Sequence, residues 1–256
     1  YVEARRLLEE TLTLLEQSRQ IEIDPALVAN ELTQLINDEK IQHVETKIFD
    51  NSLYFSEAGI QKQLHRILNF ELKNLSSDER IEKKLQKVEK ELGISYDSIQ
   101  RQAIRDALSS KVFILTGGPG TGKTTVINGI IQTYAELHTI DLKKSKDLPI
   151  VLAAPTGRAS RRMNELTGLP SATIHRHLGL NRDQEFQLLD DELDCDLIII
   201  DEFSMVDTWL AHKLFSALPS HAQVIIVGDS DQLPSVGPGQ VLADLLKIPE
   251  LPKVCL

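Results

Sequence analysis

Four short runs of this chain are apolar at nearly every position: Val112–Thr116, Ile150–Ala154, Leu197–Ile200 and residues 224–227. A strand with one face in water alternates apolar and polar residues, so a continuous run reads as a strand buried on both faces. Helical stretches lie between the runs, at 124–137, 159–166 and 208–218. Strands that alternate with helices call for right-handed crossovers and a parallel sheet with helices packed on it. The expected fold class is therefore α/β.

The first ~75 residues have a different pattern. Leu8, Leu12 and Leu15 share one helix face within a helix covering about residues 1–20. A second helix has Asp24 as N-cap and Pro25 at its first position, with Val28, Leu32, Leu35 and Ile36 on one stripe. Residues 41–47 and 48–55 are expected to pair as a hairpin turning near Asp50-Asn51. A further helix carries Ile60, Leu64, Ile67 and Leu68. Helices followed by a hairpin suggest a small, mostly helical, winged-helix-like unit, a kind that binds DNA in some proteins and only packs against a neighbour in others. Asn74-Leu75-Ser76-Ser77 reads as a linker, and Ile81, Leu85, Val88 and Leu92 mark an amphipathic helix that ends at Gly93. The expected organisation is an accessory domain over 1–75, a linker helix over 76–94 and an α/β domain over 95–256.

One motif gives the α/β domain a chemistry. Gly117-Gly118-Pro119-Gly120-Thr121-Gly122-Lys123-Thr124 fits the pattern G-x-x-x-x-G-K-[ST], after one apolar strand and at the start of a helix. Its glycines let the backbone curl so that N–H groups converge on phosphate oxygens, with the helix dipole behind them. Lys123 supplies charge at the β- and γ-phosphates, Thr124 a hydroxyl for Mg²⁺, and Thr125 continues the cradle. Asp201-Glu202 closes the third apolar run. Two acids after a strand are ordinary loop residues when alone. Beside a phosphate loop they read as a metal ligand, Asp201, and a general base, Glu202. Expected ligands are thus ATP and Mg²⁺, with hydrolysis rather than passive binding.

The remaining motifs narrow the class by resemblance. Ala154-Pro155-Thr156-Gly157-Arg158-Ala159-Ser160 resembles motif Ia of superfamily 1 helicases. Thr173-Ile174-His175-Arg176-His177-Leu178-Gly179 is similar to an element of RecD/TraA-type helicases. Residues 201–207 resemble their motif II, and Gly228-Asp229-Ser230-Asp231-Gln232-Leu233-Pro234-Ser235-Val236-Gly237-Pro238-Gly239 their motif III. Gln100 stands where that family has its adenine-reading glutamine. In the family's order these cover residues 95–246. The resemblance implies a RecA-like first motor domain moving 5′→3′ on single-stranded DNA, with duplex junctions as substrate and DNA repair or recombination as setting. It also implies roles for Gln232 as γ-phosphate sensor and for Thr156, Gly157, Arg158, Ser160 and His175 at DNA. A short hairpin insertion is expected at 180–191.

Each of these residues also has a plain reading. Asp229 and Asp231 suit turns, Gln232 could be an ordinary turn residue, and Arg161 and Arg162 suit a solvated helix face. His175 and His177 lack companion ligands for zinc. The alternatives are a P-loop ATPase of another class, and a nucleotide-dependent DNA-binding module without useful catalysis. The formal charge of −10 counts against bulk electrostatic attraction to nucleic acid, so any such contact must be a local patch. No apolar run reaches the ~18 residues of a membrane span, and two scattered cysteines, Cys195 and Cys255, suit a reducing cytoplasm. Tyr1 opens the chain in mid-helix, so a fragment of a longer protein is expected. No arginine follows Arg182 to serve as a finger on the γ-phosphate, so slow hydrolysis and no unwinding are expected of the chain alone.

Overall fold

The computed structural model describes residues 1–19, 22–71, 77–143, 148–180, 192–229, 231–232 and 234–256. They divide into two compact units, Tyr1–Gly59 and Ile60–Leu256. The division falls inside a helix, not near residue 75. Residues 181–191 of the insertion expected at 180–191, and most of the expected linker at 74–77, lie outside the described residues.

In the first unit, β1 (Val2–Glu3) leads into α1 (Ala4–Arg19), followed by α2 (Pro25–Asn37), β2 (Ile41–Val44) and β3 (Lys47–Asp50). Asp24 caps α2 through Oδ1, which accepts from the Ala26 N–H at 2.9 Å. Leu8, Leu12 and Leu15 form the half-buried side of α1. The three strands make an antiparallel sheet in the order β1-β3-β2. The hairpin turns at Glu45-Thr46, with Glu45 at φ 56°, and not at Asp50-Asn51. The reason lies in Asp50: its carboxylate accepts from the Leu53 N–H and the Ser52 hydroxyl, which starts α3 (Asn51–Leu68) where strand was expected. These elements alone do not assign a winged-helix fold.

The second unit takes in the end of α3, then α4 (Asp78–Leu92), α5 (Ser98–Ser109), β4 (Val112–Thr116), α6 (Lys123–His138), β5 (Ile150–Ala154), α7 (Gly157–Thr167), β6 (Ser171–Thr173) and α8 (Ile174–His177). It continues through β7 (Leu197–Ile200), α9 (Thr208–Ala217), β8 (Gln223–Gly228), α10 (Val241–Leu246) and β9 (Lys253–Cys255). The sheet order is β6-β5-β7-β8-β4-β9, every pairing parallel. The four expected strands are its centre. The outer two, β6 and β9, have three residues each, too short to carry a pattern.

Period-two geometry sends alternate residues of each central strand to opposite faces. Val112, Ile114, Ile198, Ile200, Val224 and Ile226 join one core cluster, with Leu214 and Phe215 of α9 and Ile60, Leu64 and Ile67 of α3. Phe113, Leu115, Leu197, Ile199, Ile225 and Val227 join the other, with residues of α4, α5 and α6. Each such side chain contributes about 1.5–3 kcal/mol on burial. Ile81, Leu85 and Val88 of α4 are buried, the first two within the second cluster, and Gly93 ends that helix at φ 66°. The stretch expected as a linker helix is thus part of the second unit's core. Among the described residues no helix is long and apolar enough to cross a membrane.

At the amino edge of the sheet, two cations meet the α9–β8 connection. Arg66 donates to the Ser220 hydroxyl at 2.7 Å and to the carbonyls of Phe215 and Leu218, which close α9. Lys111 is buried, donates to the Ser220 carbonyl at 2.8 Å and lies 5.1 Å from the Phe70 ring centre. Burial lowers its pKa from 10.5 to about 8. Between those values the unfolded chain holds a proton that the folded chain has released, so folding stability rises with pH there. The stability of this chain relative to Lys111→Met should therefore improve between about pH 8 and about pH 10. Urea unfolding at a series of pH values reads this, and a flat difference would remove the charge penalty from Lys111.

Candidate active site

All the nucleotide residues expected from the sequence gather at the carboxyl edge of the parallel sheet, where α/β proteins hold their ligands. The phosphate loop leaves β4 at Thr116 and enters α6 at Lys123. Gly122, at φ 93°, stands at the N-cap and contributes no side chain to the first turn of α6, whose N–H groups thus face the loop. A Cβ there would lie 2.8 Å from Gln100 Nε2, the movable end of that side chain, so it is the backbone conformation that favours glycine. Thr121 donates its hydroxyl to the Gly118 carbonyl at 3.0 Å. Lys123 Nζ donates to the carbonyls of Gly117 and Gly118, the latter at 2.8 Å, so the ammonium lies over the loop. Thr124 is half-buried and Thr125 exposed in the same turn, while Gly118 and Pro119 complete the curve to Gly120, at φ 78°.

Asp201 leaves β7 two strands away. Its N–H donates to Ala153 of β5 at 2.9 Å, and its Oδ1 accepts the Glu202 N–H at 2.8 Å. Burial raises the pKa of Asp201, while that N–H and the charges of Lys123 and Arg162 pull the other way. The Lys123 effect places the phosphate loop and the acid pair within electrostatic reach. Burial also raises Glu202, as does the neighbouring Asp201 charge, and Arg162 and Arg158 oppose this. A raised carboxyl is better suited to accept a proton near neutral pH. Glu202 has φ 53°, a left-handed conformation that costs a non-glycine residue energy. Arg162 is exposed, as expected of a solvated helix face, and its charge still bears on the acid pair. Its signal was available: α7 starts just past β5, the strand beside β7, and Arg158 and Arg162 are four residues apart on one helix face.

The third group comes from β8 and the loop after it. Asp229 is buried, and its Oδ1 accepts the Asp231 N–H at 3.0 Å, the expected turn. Gln232 Oε1 accepts from the Ser204 hydroxyl at 3.4 Å, a bond that ties motif III to motif II. Ser204, Asp229, Gln232, Gln240 and Leu242 line an open cavity of about 150 Å³. Gly237 and Gly239 press on the start of α9. A Cβ on Gly237 would collide with Asp207, and one on Gly239 with Thr208. Asp207 caps α9, accepting from the Leu210 N–H at 2.8 Å, and the Thr208 N–H donates to the Pro238 carbonyl at 3.0 Å. The glycines of motif III therefore let it pack on motif II.

The residues expected at DNA separate. Gly157, Arg158 and His175 are exposed. Thr156 is half-buried and caps α7, its Oγ1 accepting from Ala159 N–H at 3.2 Å. Ser160 is buried and donates to the Gly157 carbonyl at 3.1 Å, so its hydroxyl serves the helix and it leaves the set of contact residues. In the next motif Thr173 caps α8, Ile174 is fully buried and His177 Nε2 donates to the Leu152 carbonyl at 3.0 Å. Most of that motif holds the edge of the sheet together.

The chain is 39% identical over 167 residues to the RecBCD enzyme subunit RecD of Mycolicibacterium smegmatis, covering 58% of this chain and 30% of that protein. It is 38% identical over 149 residues to the ATP-dependent RecD2 DNA helicase of Deinococcus radiodurans, covering 58% of this chain and 20% of that one. The chain thus spans about a third or less of the length of these relatives. A solved Pif1 helicase from Candida albicans is more distant, with TM-score 0.40 and 22% identity over 64% of this chain and 40% of that one. Residues 100–238 match the family described as AAA domain, and they hold the phosphate loop, the acid pair and Gln232. That match covers more than half of the sequence, so the chain belongs to the AAA-domain family.

Proposed function

We propose that this chain binds Mg·ATP at the phosphate loop and is the first motor domain of a RecD-type helicase that moves 5′→3′ on single-stranded DNA. The observation that carries the reading is the meeting of Lys123, the Asp201-Glu202 pair and Gln232 at one sheet edge, where the charge of Lys123 acts on Asp201 and the Ser204 hydroxyl bonds to Gln232. In this reading Lys123 neutralises the β- and γ-phosphates, Glu202 takes the proton of the attacking water and Gln232 senses the γ-phosphate. The Gln100 amide, beside Gly122, meets the adenine. Thr124 and Asp201 offer the hard oxygen donors that Mg²⁺ takes, and the ion when bound would neutralise phosphate charge. Gly157, Arg158 and His175, with Thr156 beneath them, form the DNA-facing edge. Single strands and duplex junctions are the proposed partners, in DNA repair or recombination. The free thiols of Cys195 and Cys255 suit a cytoplasmic setting.

The test is steady-state ATP turnover, with and without single-stranded DNA. DNA stimulation supports a motor, turnover indifferent to DNA supports another class of ATPase, and binding without turnover supports a binding module. Lys123→Ala should lower turnover by about 10²-fold or more, and wild-type turnover in that variant would remove the phosphate-loop assignment. Glu202→Gln should bind Mg·ATP normally and lose about 10²–10⁴-fold in hydrolysis. Normal hydrolysis by Glu202→Gln would take the general-base role away.

The DNA edge generates a different kind of prediction. Arg158→Ala should weaken single-stranded DNA binding about equally for every sequence, because phosphate contacts carry no base information. The slope of log affinity against log salt should become shallower by about 0.7, one phosphate contact on a single strand. Fluorescence anisotropy over a salt series measures both. An unchanged slope would return Arg158 to the ordinary solvated surface.

A further inference from the structure

One carboxylate outside the phosphate loop holds the segment that presents Gln100. Glu89 lies in the last turn of α4, with its side chain 13% exposed. Its Oε1 accepts the Tyr96 N–H at 2.9 Å and its Oε2 accepts from Arg101 Nη1 at 2.7 Å. The other terminal nitrogen of Arg101 donates to Glu82 Oε1 at 3.0 Å. Glu89 thereby grips the chain on both sides of the α5 N-terminus. Its own carbonyl also accepts the Ile94 N–H at 3.1 Å, which closes the end of α4.

Between the two anchors lies a capping box. Asp97 Oδ1 accepts the N–H groups of Ile99 and Gln100, and Gln100 Oε1 accepts the Asp97 N–H at 3.2 Å. With its oxygen held in this way, Gln100 turns its Nε2 toward Gly122 of the phosphate loop. The far side of the turn is fixed by packing. Tyr96 is buried, and its ring lies so close to Gly129 of α6 that a Cβ on that glycine would sit 2.9 Å from the Tyr96 hydroxyl. Buried Ile81, Leu85 and Val88 already hold α4 in place by apolar contact. The two bonds of Glu89 add something else, a fixed height for residues 96–101 above the loop.

We propose that Glu89 is a positioning residue for recognition of the nucleotide base, acting through Tyr96 and Arg101 on Gln100 without touching the nucleotide. This rests on the proposed function, in which a nucleotide sits on the phosphate loop with its base at Gln100. Loss of Glu89 frees the capping turn to move, and what suffers is the part of nucleotide affinity that comes from the base. The triphosphate part depends on Lys123 and the α6 N-terminus, which Glu89 does not contact.

The experiment measures the equilibrium affinity of the chain for ATP and for inorganic tripolyphosphate, which has no base, both with Mg²⁺. Glu89→Ala should weaken ATP about tenfold and leave tripolyphosphate within about twofold. Glu89→Gln keeps an acceptor for the Tyr96 N–H and should fall between Glu89→Ala and wild type. Lys87→Ala removes only the exposed pairs of α4 with Glu91 and Glu136 and should leave the ATP-to-tripolyphosphate ratio unchanged. An unchanged ratio in Glu89→Ala, or both ligands weakening in step, overturns the proposal. If Glu89→Ala does not fold, Arg101→Gln and Glu89→Gln decide it, each expected to lower the ratio. Tripolyphosphate binding that survives Lys123→Ala would overturn the nucleotide reading itself.

Discussion

The arrangement depends on one constraint, the burial of β4, β7 and β8 on both faces. Every residue of these strands is buried, so each must be covered by helices above and below, and parallel pairing with crossover helices satisfies that demand. Parallel pairing also brings the carboxyl ends of the strands to one edge. The phosphate loop, the acid pair and the Asp229–Gln232 turn are the segments that leave those ends. Their meeting is a consequence of strand direction, not of any attraction between them. Their spacing is set by register: Thr116 lies beside Gly228, and Ile200 beside Ile226.

Direction alone would leave the loops loosely related, and the motif residues supply the rest. Ser204 meets Gln232, Gly237 and Gly239 seat against Asp207 and Thr208, and Gly122 makes room for Gln100. Several motif residues thus face protein. Thr156, Ser160, Thr173 and His177 spend their polar atoms on backbone groups of α7, α8 and β5. Such groups are costly to leave unpaired in a half-buried edge, and short hydroxyl side chains pair them locally. A motif read from sequence as a ligand contact therefore mixes two kinds of residue, and exposure separates them: Arg158 and His175 outward, Ser160 inward.

The same contrast explains what the sequence disclosed. The central strands, the phosphate loop and the acid pair were legible because continuous apolar runs and a glycine-lysine pattern have few other uses. The hairpin turn was misplaced because Asp50-Asn51 has the chemistry of a turn and of a helix cap alike, and only the bond to the Leu53 N–H decides between them. The edge strands β6 and β9 were too short to show a period. Glu89 was invisible for another reason. It acts on residues across a helix junction, and nothing in a run of charged helix residues marks which one points inward. The amphipathic period of α4 did announce that one face would be buried, as Ile81, Leu85 and Val88 are. It could not say that the helix belongs to the second unit rather than to a linker.

The acid pair shows what holding a reactive edge costs. Glu202 keeps a left-handed backbone, worth roughly 1–3 kcal/mol of strain, and both carboxyls are raised by burial. A carboxyl raised in the folded state favours folding at acid pH, and that contribution is lost as pH climbs through its folded value. Above the ordinary carboxylate range Asp201 and Glu202 therefore oppose folding. Lys123 and Arg162 offset part of it at Asp201, and Arg162 and Arg158 part of it at Glu202. None of them forms an ion pair with either acid within 4 Å among the described residues, so the field is spread over the edge and not closed into a bridge. A closed bridge would hold Glu202 as a settled anion and tie it down. An open cluster leaves its carboxyl raised and accessible, and the strain is sustained by the two apolar clusters that clamp β7 from either face.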